Sequence, residues 1–293
     1  MDPSSSSSDT TLSPTSGTSQ DSFDELAKNA QVIQFKSIGD VTKRLNDCHM
    51  ALLGDRTREQ FLFFAGVPES VVTKLSDEAS RPSKLSRVLY SPKTSTLVLK
   101  VVPGPDHEIA TRELSSEILL QLNQMNVLHE IDEFGSSTVR IGDRVKEADM
   151  SWAPSGQTGQ LSTVVETGLS ESSRRLALNA RGWLETAGST VELVVTLDLN
   201  RDAPQMAVKR WELHPRPPFP ATRNAPEAMA STVQTITVSR GSTSTTSVSD
   251  SLTLPFAKFV GRDPNNSDET DLVIGKQALA RMAERVWRYQ GLL

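Results

Sequence analysis

The chain has 293 residues, of which 37% are hydrophobic, and a net charge of −5. This length suffices for one large domain or two modest ones with a buried core. The acidic balance argues against a protein that coats nucleic acid without specificity, although it leaves room for a local basic groove. Cys48 is the only cysteine, which excludes a disulfide within the chain and fits a reducing compartment.

The N-terminal segment 1–20 consists mainly of Ser, Thr, Pro and Gly and has almost nothing to bury, so it is expected to be a disordered tail. It lacks the cationic start and apolar centre of a secretory signal. No apolar run in the chain approaches the roughly 18 residues that a membrane span needs. We therefore expect an intracellular protein of the cytoplasm or nucleus that makes no membrane contact.

Residues 21–85 are expected to form a helical N-terminal extension, with a short helix from Asp21 and a candidate strand at Gln31–Lys36. From Asp40 to about Leu53, apolar residues recur at helical spacing. An apolar cluster follows at Phe61–Phe64, and Pro68 can begin another helix that continues to about Asp77.

Residues 86–213 are expected to form an α/β core, because strand-like and helix-like segments alternate there. Asp106 is a natural N-cap for a long amphipathic helix that follows the Pro103-Gly104-Pro105 stop. The predicted elements, in chain order, are strands at 86–90 and 95–102, a helix at 107–125, strands at 138–141, 146–152 and 162–167, a helix at 171–187, and strands at 191–199 and 206–213.

Residues 214–293 are expected to form a C-terminal extension made of a β-hairpin and a terminal helix. The prolines from Pro215 to Pro220 cannot continue a central strand. A helical turn is predicted at 225–230, strands at 232–239 and 251–256, and an amphipathic helix from Gly275 to Tyr289.

Two carboxylates are symmetrically placed about the turn that joins the predicted strands 146–152 and 162–167. If the turn centres between Gln157 and Thr158, residue i lies opposite residue 315−i, and Asp149 faces Glu166. Side chains that face each other on adjacent strands have Cβ atoms about 4.5–5.5 Å apart. Two like charges at that distance need a cation between them, usually a divalent metal. The alternative is two ordinary polar positions on a solvent-facing hairpin.

A third acid, Glu108, lies in the first turn of the predicted long helix, so that the order is helix acid, strand Asp, strand Glu, helix and further strands. This order resembles the PD-(D/E)XK, or restriction-endonuclease-like, nuclease superfamily, and is most similar to its Uma2-like and fungal members. The segments that carry the resemblance are Pro105-Asp-His-Glu108, Glu147-Ala-Asp149-Met-Ser-Trp-Ala-Pro154, Val164-Val-Glu166-Thr-Gly-Leu-Ser170-Glu-Ser172, Asn179-Ala-Arg-Gly-Trp183-Leu184 and Val208-Lys-Arg-Trp211-Glu212.

The resemblance implies a mixed sheet of restriction-endonuclease-like type flanked by helices, and hydrolysis of nucleic-acid phosphodiester bonds with Mg²⁺. In that scheme Asp149 and Glu166 hold the metal, and Glu108 is a further ligand or an orienting acid. Hard carboxylate oxygens suit Mg²⁺, which activates water and neutralises charge on the phosphate.

The chain departs from the superfamily pattern at two positions. Gly168 stands where the catalytic lysine is normally found, and Ala148 replaces the proline before the first acid. In Uma2-like members the lysine can move to the following helix, which makes Arg181 the candidate catalytic cation, although arginine does not replace lysine neutrally. Two function classes therefore stay open: a Mg²⁺-dependent nuclease, and an inactive nuclease-fold module that binds protein or nucleic acid.

Several other residues are predicted to cap helices or to pack in the core. His107 is predicted to be a surface or capping histidine, and Ser170 an N-cap. Trp183, Leu184 and Trp211 are predicted to pack in the core between a helix and a sheet.

Overall fold

The computed structural model describes residues 22–27, 30–76, 85–102, 104–157, 159–169, 173–215, 228–241 and 245–293. The predicted tail at 1–20 and the predicted cap Ser170 lie outside these ranges. The predicted helical turn at 225–230 is described only at 228–230, where the chain is a strand. No helix within the described ranges is long and apolar enough to cross a membrane.

The helices are α1 (Ser22–Ala27), α2 (Ile38–Leu53), α3 (Glu69–Ser76), α4 (Pro105–Gln124), α5 (Ser173–Leu184), α6 (Phe256–Val260) and α7 (Lys276–Tyr289), with a 3₁₀ turn at Leu128–Glu130. The strands are β1 (Val32–Gln34), β2 (Phe61–Ala65), β3 (Ser86–Ser91), β4 (Thr96–Val101), β5 (Ile131–Glu133), β6 (Thr138–Ile141), β7 (Arg144–Glu147), β8 (Met150–Pro154), β9 (Thr163–Leu169), β10 (Leu193–Leu199), β11 (Gln205–Pro215), β12 (Ala228–Arg240), β13 (Thr246–Val248), β14 (Leu252–Leu254) and β15 (Leu272–Ile274).

The first sheet has the strand order β1-β2-β4-β3-β7-β6. On one of its faces, apolar residues such as Phe64 and Leu99 pack against Val41 of α2 and Val72 of α3. On the opposite face, Phe63 and other residues pack against α1 and α5. The region 21–85 is therefore not simply helical, because β1 and β2 extend the sheet formed by β3 and β4.

The second sheet has the order β13-β12-β11-β10-β9-β8-β5. Strands β9 and β10 are parallel and are joined through α5, as a crossover connection requires. One face packs against α4, α6 and α7 in the main apolar core, and the other buries Trp183 of α5 against Val194. The predicted mixed α/β class with helices on both sides of the sheet is confirmed.

The predicted core 86–213 is divided between the two sheets. Strand β7 pairs with β3 and β6, whereas β8 pairs with β9 and β5. The predicted continuous strand 146–152 is thus interrupted at Ala148 and Asp149, where the chain passes from one sheet to the other. Strand β12 of the predicted C-terminal extension also pairs with β11 along its length, so the extension continues the second sheet.

Candidate functional site

The two carboxylates at the start of the hairpin face each other as the sequence predicts. The observed register sets Met150 opposite Val165 and Trp152 opposite Thr163, which is the 315−i pairing. Extended by one residue, it places Asp149 opposite Glu166. Both side chains are buried, with 0% and 1% exposure, so the interpretation as a solvent-facing hairpin is wrong.

The cation between these carboxylates is Lys100 of β4. Its Nζ donates to Asp149 Oδ2 and to Glu166 Oε2, at 2.8 Å in each case, and its side chain is 5% exposed. Since β4 belongs to the first sheet and the carboxylates to the second, the contact joins the two sheets. A lysine therefore lies between the two like charges.

A second cation approaches Asp149 from the strand beside Lys100. Arg87 of β3 lies directly opposite Lys100 in the sheet. Its Nε is 3.0 Å from Asp149 Oδ1, an ion pair whose angles do not make a hydrogen bond. Its Nη2 donates to Glu108 Oε1 at 2.9 Å. Arg87 therefore joins the buried acid to the rim acid.

His107 of α4 is fully buried, so its prediction as a surface or capping residue is wrong. Its Nε2 lies 2.9 Å from the carbonyl oxygen of Thr167 and 3.2 Å from Asp149 Oδ2. Because a carbonyl oxygen can only accept, Nε2 carries a proton. The backbone N–H of Thr167 also donates to Asp149 Oδ2 at 2.8 Å, so this oxygen is held from several sides.

Trp183 of α5 lies in the core as predicted, and it also fixes the second carboxylate. Its Nε1 donates to Glu166 Oε1 at 2.7 Å, while Lys100 occupies Oε2. Both oxygens of Glu166 therefore have donors within the protein, and the orientation of the carboxylate is set by α5 on one side and by β4 on the other.

The surrounding cations determine the charge state of Asp149. Burial alone would raise the pKa of this carboxyl, but Lys100, His107 and Arg87 outweigh burial and hold the pKa well below its usual range. For Arg87, burial favours a lower pKa, whereas Asp149, Glu147 and Glu108 raise it above the usual value. At neutral pH the centre therefore holds an ionised Asp149 paired with charged Arg87.

Glu108 stands at the edge of this centre, with its side chain 38% exposed. Its carboxylate is separated from Asp149 by Arg87, which contacts both acids. In the described part of the chain, no group of three or more His, Cys, Asp or Glu side chains is arranged to hold a metal ion. Glu108 therefore does not join Asp149 and Glu166 as a third ligand here; it pairs with Arg87.

Arg181 is not brought to the acids. Its Nε donates to Glu185 at 3.1 and 3.2 Å, and its Nη1 to Glu25 at 3.4 Å. Arg181 and Trp183 are two positions apart in α5, which separates them by about 200° around the helix axis. Because Trp183 faces Glu166, Arg181 faces away from it. The prediction that Arg181 lies near the acids is wrong, and the cation comes from β4.

Lys100 was missed by sequence reasoning, although the sequence carries a signal for it. The residue interrupts the apolar run Leu97-Val-Leu-Lys-Val-Val102. A lysine inside a buried strand is stable only when it is paired. The run therefore indicates a buried anionic partner, but it does not show which acid that partner is.

Asp149 and Glu166 offer the type of donor that Mg²⁺ requires. This ion binds through one or two carboxylates and keeps several waters. Asp149 and Glu166 supply two carboxylates that converge on one position, and Lys100 shows that a cation is accommodated there. In donor type and number, these residues fit a magnesium ion.

Comparisons with known proteins add one distant likeness. No family model matches the chain, and no curated protein matches it. Among solved structures, the chain is similar to a proposed nuclease belonging to DUF820 from Anabaena variabilis ATCC 29413, with a TM-score of 0.37 and 14% identity, over 67% of this chain and 90% of that chain. At this TM-score the likeness assigns neither a family nor an activity, so the site stands on its own geometry.

Proposed function

We propose that the chain is a nuclease-type, Mg²⁺-dependent phosphodiester hydrolase in which Asp149, Glu166 and Lys100 form the catalytic group. The observation that carries this proposal is the contact of Lys100 Nζ with both carboxylates at 2.8 Å. PD-(D/E)XK nucleases, which this chain resembles, use two acids and a lysine. In this chain Gly168 stands where that lysine is normally found. Here β4 supplies a lysine to the same pair of acids from another sheet.

Each group in the centre has a role that follows from its contacts. Asp149 and Glu166 would hold the Mg²⁺, which when bound supplies an activated water and neutralises charge on the phosphate. Lys100 is a compact charge on a flexible stem, and it can shift from a carboxylate to a phosphate oxygen. Arg87 and His107 position Asp149, and Trp183 positions Glu166.

A substrate can reach these groups only if the protein opens. Asp149 and Glu166 are almost without solvent exposure, while Glu108 at the rim is partly exposed. A phosphodiester must come within direct contact of the metal and of Lys100 to react. The proposal therefore includes a conformational step that uncovers the centre.

Nicking of supercoiled plasmid with Mg²⁺ or Mn²⁺ tests the activity. We expect intact protein to nick the plasmid, and Glu166→Gln or Lys100→Gln to lower the rate by about 100-fold or more. Lys43→Gln is the matched control, because Lys43 is exposed on α2. Equal rates for Glu166→Gln and intact protein would contradict the proposal.

Metal binding is tested separately by thermal unfolding. Mg²⁺ that binds the folded protein raises its melting temperature by mass action. We expect this rise in intact protein and its loss in Asp149→Asn. Identical metal-induced shifts in the two proteins would place the metal elsewhere.

A second candidate function is an inactive module that uses this fold to bind protein or nucleic acid. It is favoured by the saturation of the carboxylates, since Lys100, Trp183 and the Thr167 N–H occupy three of their four oxygens. This candidate predicts no cleavage of DNA or RNA, single- or double-stranded, and no metal-induced shift in melting temperature. Cleavage that depends on Glu166 would exclude it.

A further inference from the structure

One face of the first sheet carries four buried cations. Lys146, Leu89, Val98 and Phe63 lie opposite one another in a single row across four strands. Directly opposed residues point to the same face, as do alternate residues of a strand. The buried cations on this face are therefore Arg87, Lys100, Arg144 and Lys146, and each is 5% exposed or less.

Two of these cations lie outside the catalytic centre and are covered by aromatic rings. The guanidinium carbon of Arg144 is 4.5 Å from the ring centroid of Phe23 in α1; Asp143, which is largely exposed, is 3.5 Å from Arg144 Nε. Lys146 Nζ is 4.2 Å from the Trp183 ring and donates to the carbonyl of Asn179 at 3.3 Å. The cations are thus buried beneath α1 and α5.

Helix α1 lies over the row that contains Lys146. Its apolar residues Phe23 and Leu26 pack against Phe63 and Val98 of the sheet and Leu178 of α5. In sequence and register, this row is two residues from the next one, which contains Arg87, Lys100 and Phe61. The helix therefore covers the sheet directly beside the catalytic lysine.

A glycine of α5 lies at the contact between α1 and α5. A Cβ on Gly182 would lie 3.0 Å from Lys146 Nζ and 3.1 Å from the Ser22 hydroxyl. Ser22, Phe23, Arg144 and Lys146 also line a small cavity of about 10 Å³ under the helix. Ser22 of α1, Lys146 of β7 and Gly182 of α5 therefore pack closely together.

The ion pairs that hold α1 in place are exposed or half-buried, and they are weak. Glu25 pairs with Arg174 at 2.8 Å and with Arg181 at 3.4 Å, and Arg181 also pairs with Glu185. Ion pairs at such exposed positions contribute little and are screened by salt. A helix of six residues has no stability of its own. Helix α1 is therefore attached mainly through Phe23 and Leu26.

We propose that α1 is a displaceable cover, and that the face beneath it binds the phosphodiester backbone of a nucleic-acid strand. Displacement uncovers Arg144 and Lys146 and removes Glu25 from Arg174 and Arg181. Arg87 and Lys100 remain paired with Asp149, Glu108 and Glu166, so the added binding charge comes from the other four cations, of which Arg181 keeps its pair with Glu185 and Arg144 its contact with Asp143.

This inference rests on the proposed function and adds a substrate-binding face beside the catalytic centre. The Trp183 ring contacts Lys146, and its Nε1 holds Glu166. A strand bound along the uncovered face therefore lies beside the catalytic acids. Lys146, which lies beneath the cover, and Glu166 of the catalytic centre thus contact the same side chain, Trp183.

Binding of a short fluorescein-labelled oligothymidylate to the full chain, followed by anisotropy in EDTA, tests the cover. We expect the double variant Phe23→Ala with Glu25→Gln to bind about tenfold more tightly or better, with an affinity that falls as salt rises. Adding Arg174→Gln and Arg181→Gln, at exposed sites on α5, should remove the gain. Adding Arg144→Gln and Lys146→Gln should also remove it, provided that thermal unfolding stays cooperative.

Glu117→Gln is the matched control, because Glu117 makes an exposed ion pair with Arg281 and the substitution changes net charge equally. It should leave the affinity unchanged. Equal affinities of intact protein and the α1 variant, or a gain that survives both sets of cation substitutions, would overturn the inference. If the α1 variant binds oligothymidylate more tightly in EDTA but the protein does not nick plasmid in Mg²⁺, the proposed hydrolase activity is contradicted and the proposed cover is not. If the protein nicks plasmid but the α1 variant binds no more tightly, only the proposed cover is contradicted.

Discussion

Two clusters in this protein each place one cation between two carboxylates, and they differ in how far the cation is exposed to solvent. Lys100 lies between Asp149 and Glu166 with all three side chains at 5% exposure or less. Arg262 donates to both oxygens of Glu130 at 2.7 Å and to Glu269 at 2.6 Å. The Arg262 side chain is 27% exposed and Glu130 is exposed to a similar degree, whereas Glu269 is 6% exposed.

The cations suit these different surroundings. The planar guanidinium of Arg262 is matched to a carboxylate by two parallel hydrogen bonds, and it joins the loop after α6 to the 3₁₀ turn that ends at Glu130. The ammonium of Lys100 makes no such fork and can exchange partners. Burial of an ion pair seldom adds stability over apolar packing, so the Lys100 cluster is the better candidate for function.

The largest expected effect is that of Lys100→Met, which leaves two buried carboxylates without their shared cation. We expect the free energy of unfolding to fall by about 3–5 kcal/mol, measured by urea denaturation with circular dichroism. Lys43→Met, on the exposed face of α2, should change it by less than about 0.5 kcal/mol. Adding Asp149→Asn and Glu166→Gln to Lys100→Met should restore part of the loss, because the uncompensated charges are gone.

A smaller effect, with a defined pH dependence, is expected of Asp149→Asn. The pKa of Asp149 in the folded protein is held below its ordinary value of 3.8, so ionised Asp149 stabilises the fold fully above that pH. The contribution is lost as the pH falls below about 4 toward the folded pKa. We expect the variant to be less stable by roughly 2–3 kcal/mol at neutral pH, and this difference should narrow in acid.

Urea denaturation at a series of pH values checks this prediction. Asp132→Asn is the control, because Asp132 is an exposed acid on β5. A difference between intact protein and Asp149→Asn that stays constant from neutral to acidic pH would show that its origin is not the charge of Asp149.

The acidic half of the site was predictable because it is local. The register that pairs Asp149 with Glu166 follows from the spacing of two strands around one turn. Lys100 comes from a strand 49 residues before Asp149, and only the pairing of distant strands brings it there. The break between β7 and β8 was equally hidden, because the residues on both sides of Ala148 have strand character and nothing local marks a change of sheet.

The smallest effect is expected of Arg262→Met, and it shows whether burial separates the two clusters. The hydrogen bond from Arg262 lowers the pKa of Glu130, yet the pair is solvated, so the loss should be about 1 kcal/mol or less. In about 1 M salt this loss should shrink further, whereas the loss from Lys100→Met should persist, because buried charges are screened much less. Urea denaturation of both variants at low and high salt measures this contrast. If Arg262→Met costs as much as Lys100→Met, or if salt reduces both losses equally, burial does not distinguish the clusters and the argument for function at Lys100 rests on its position between the two sheets alone.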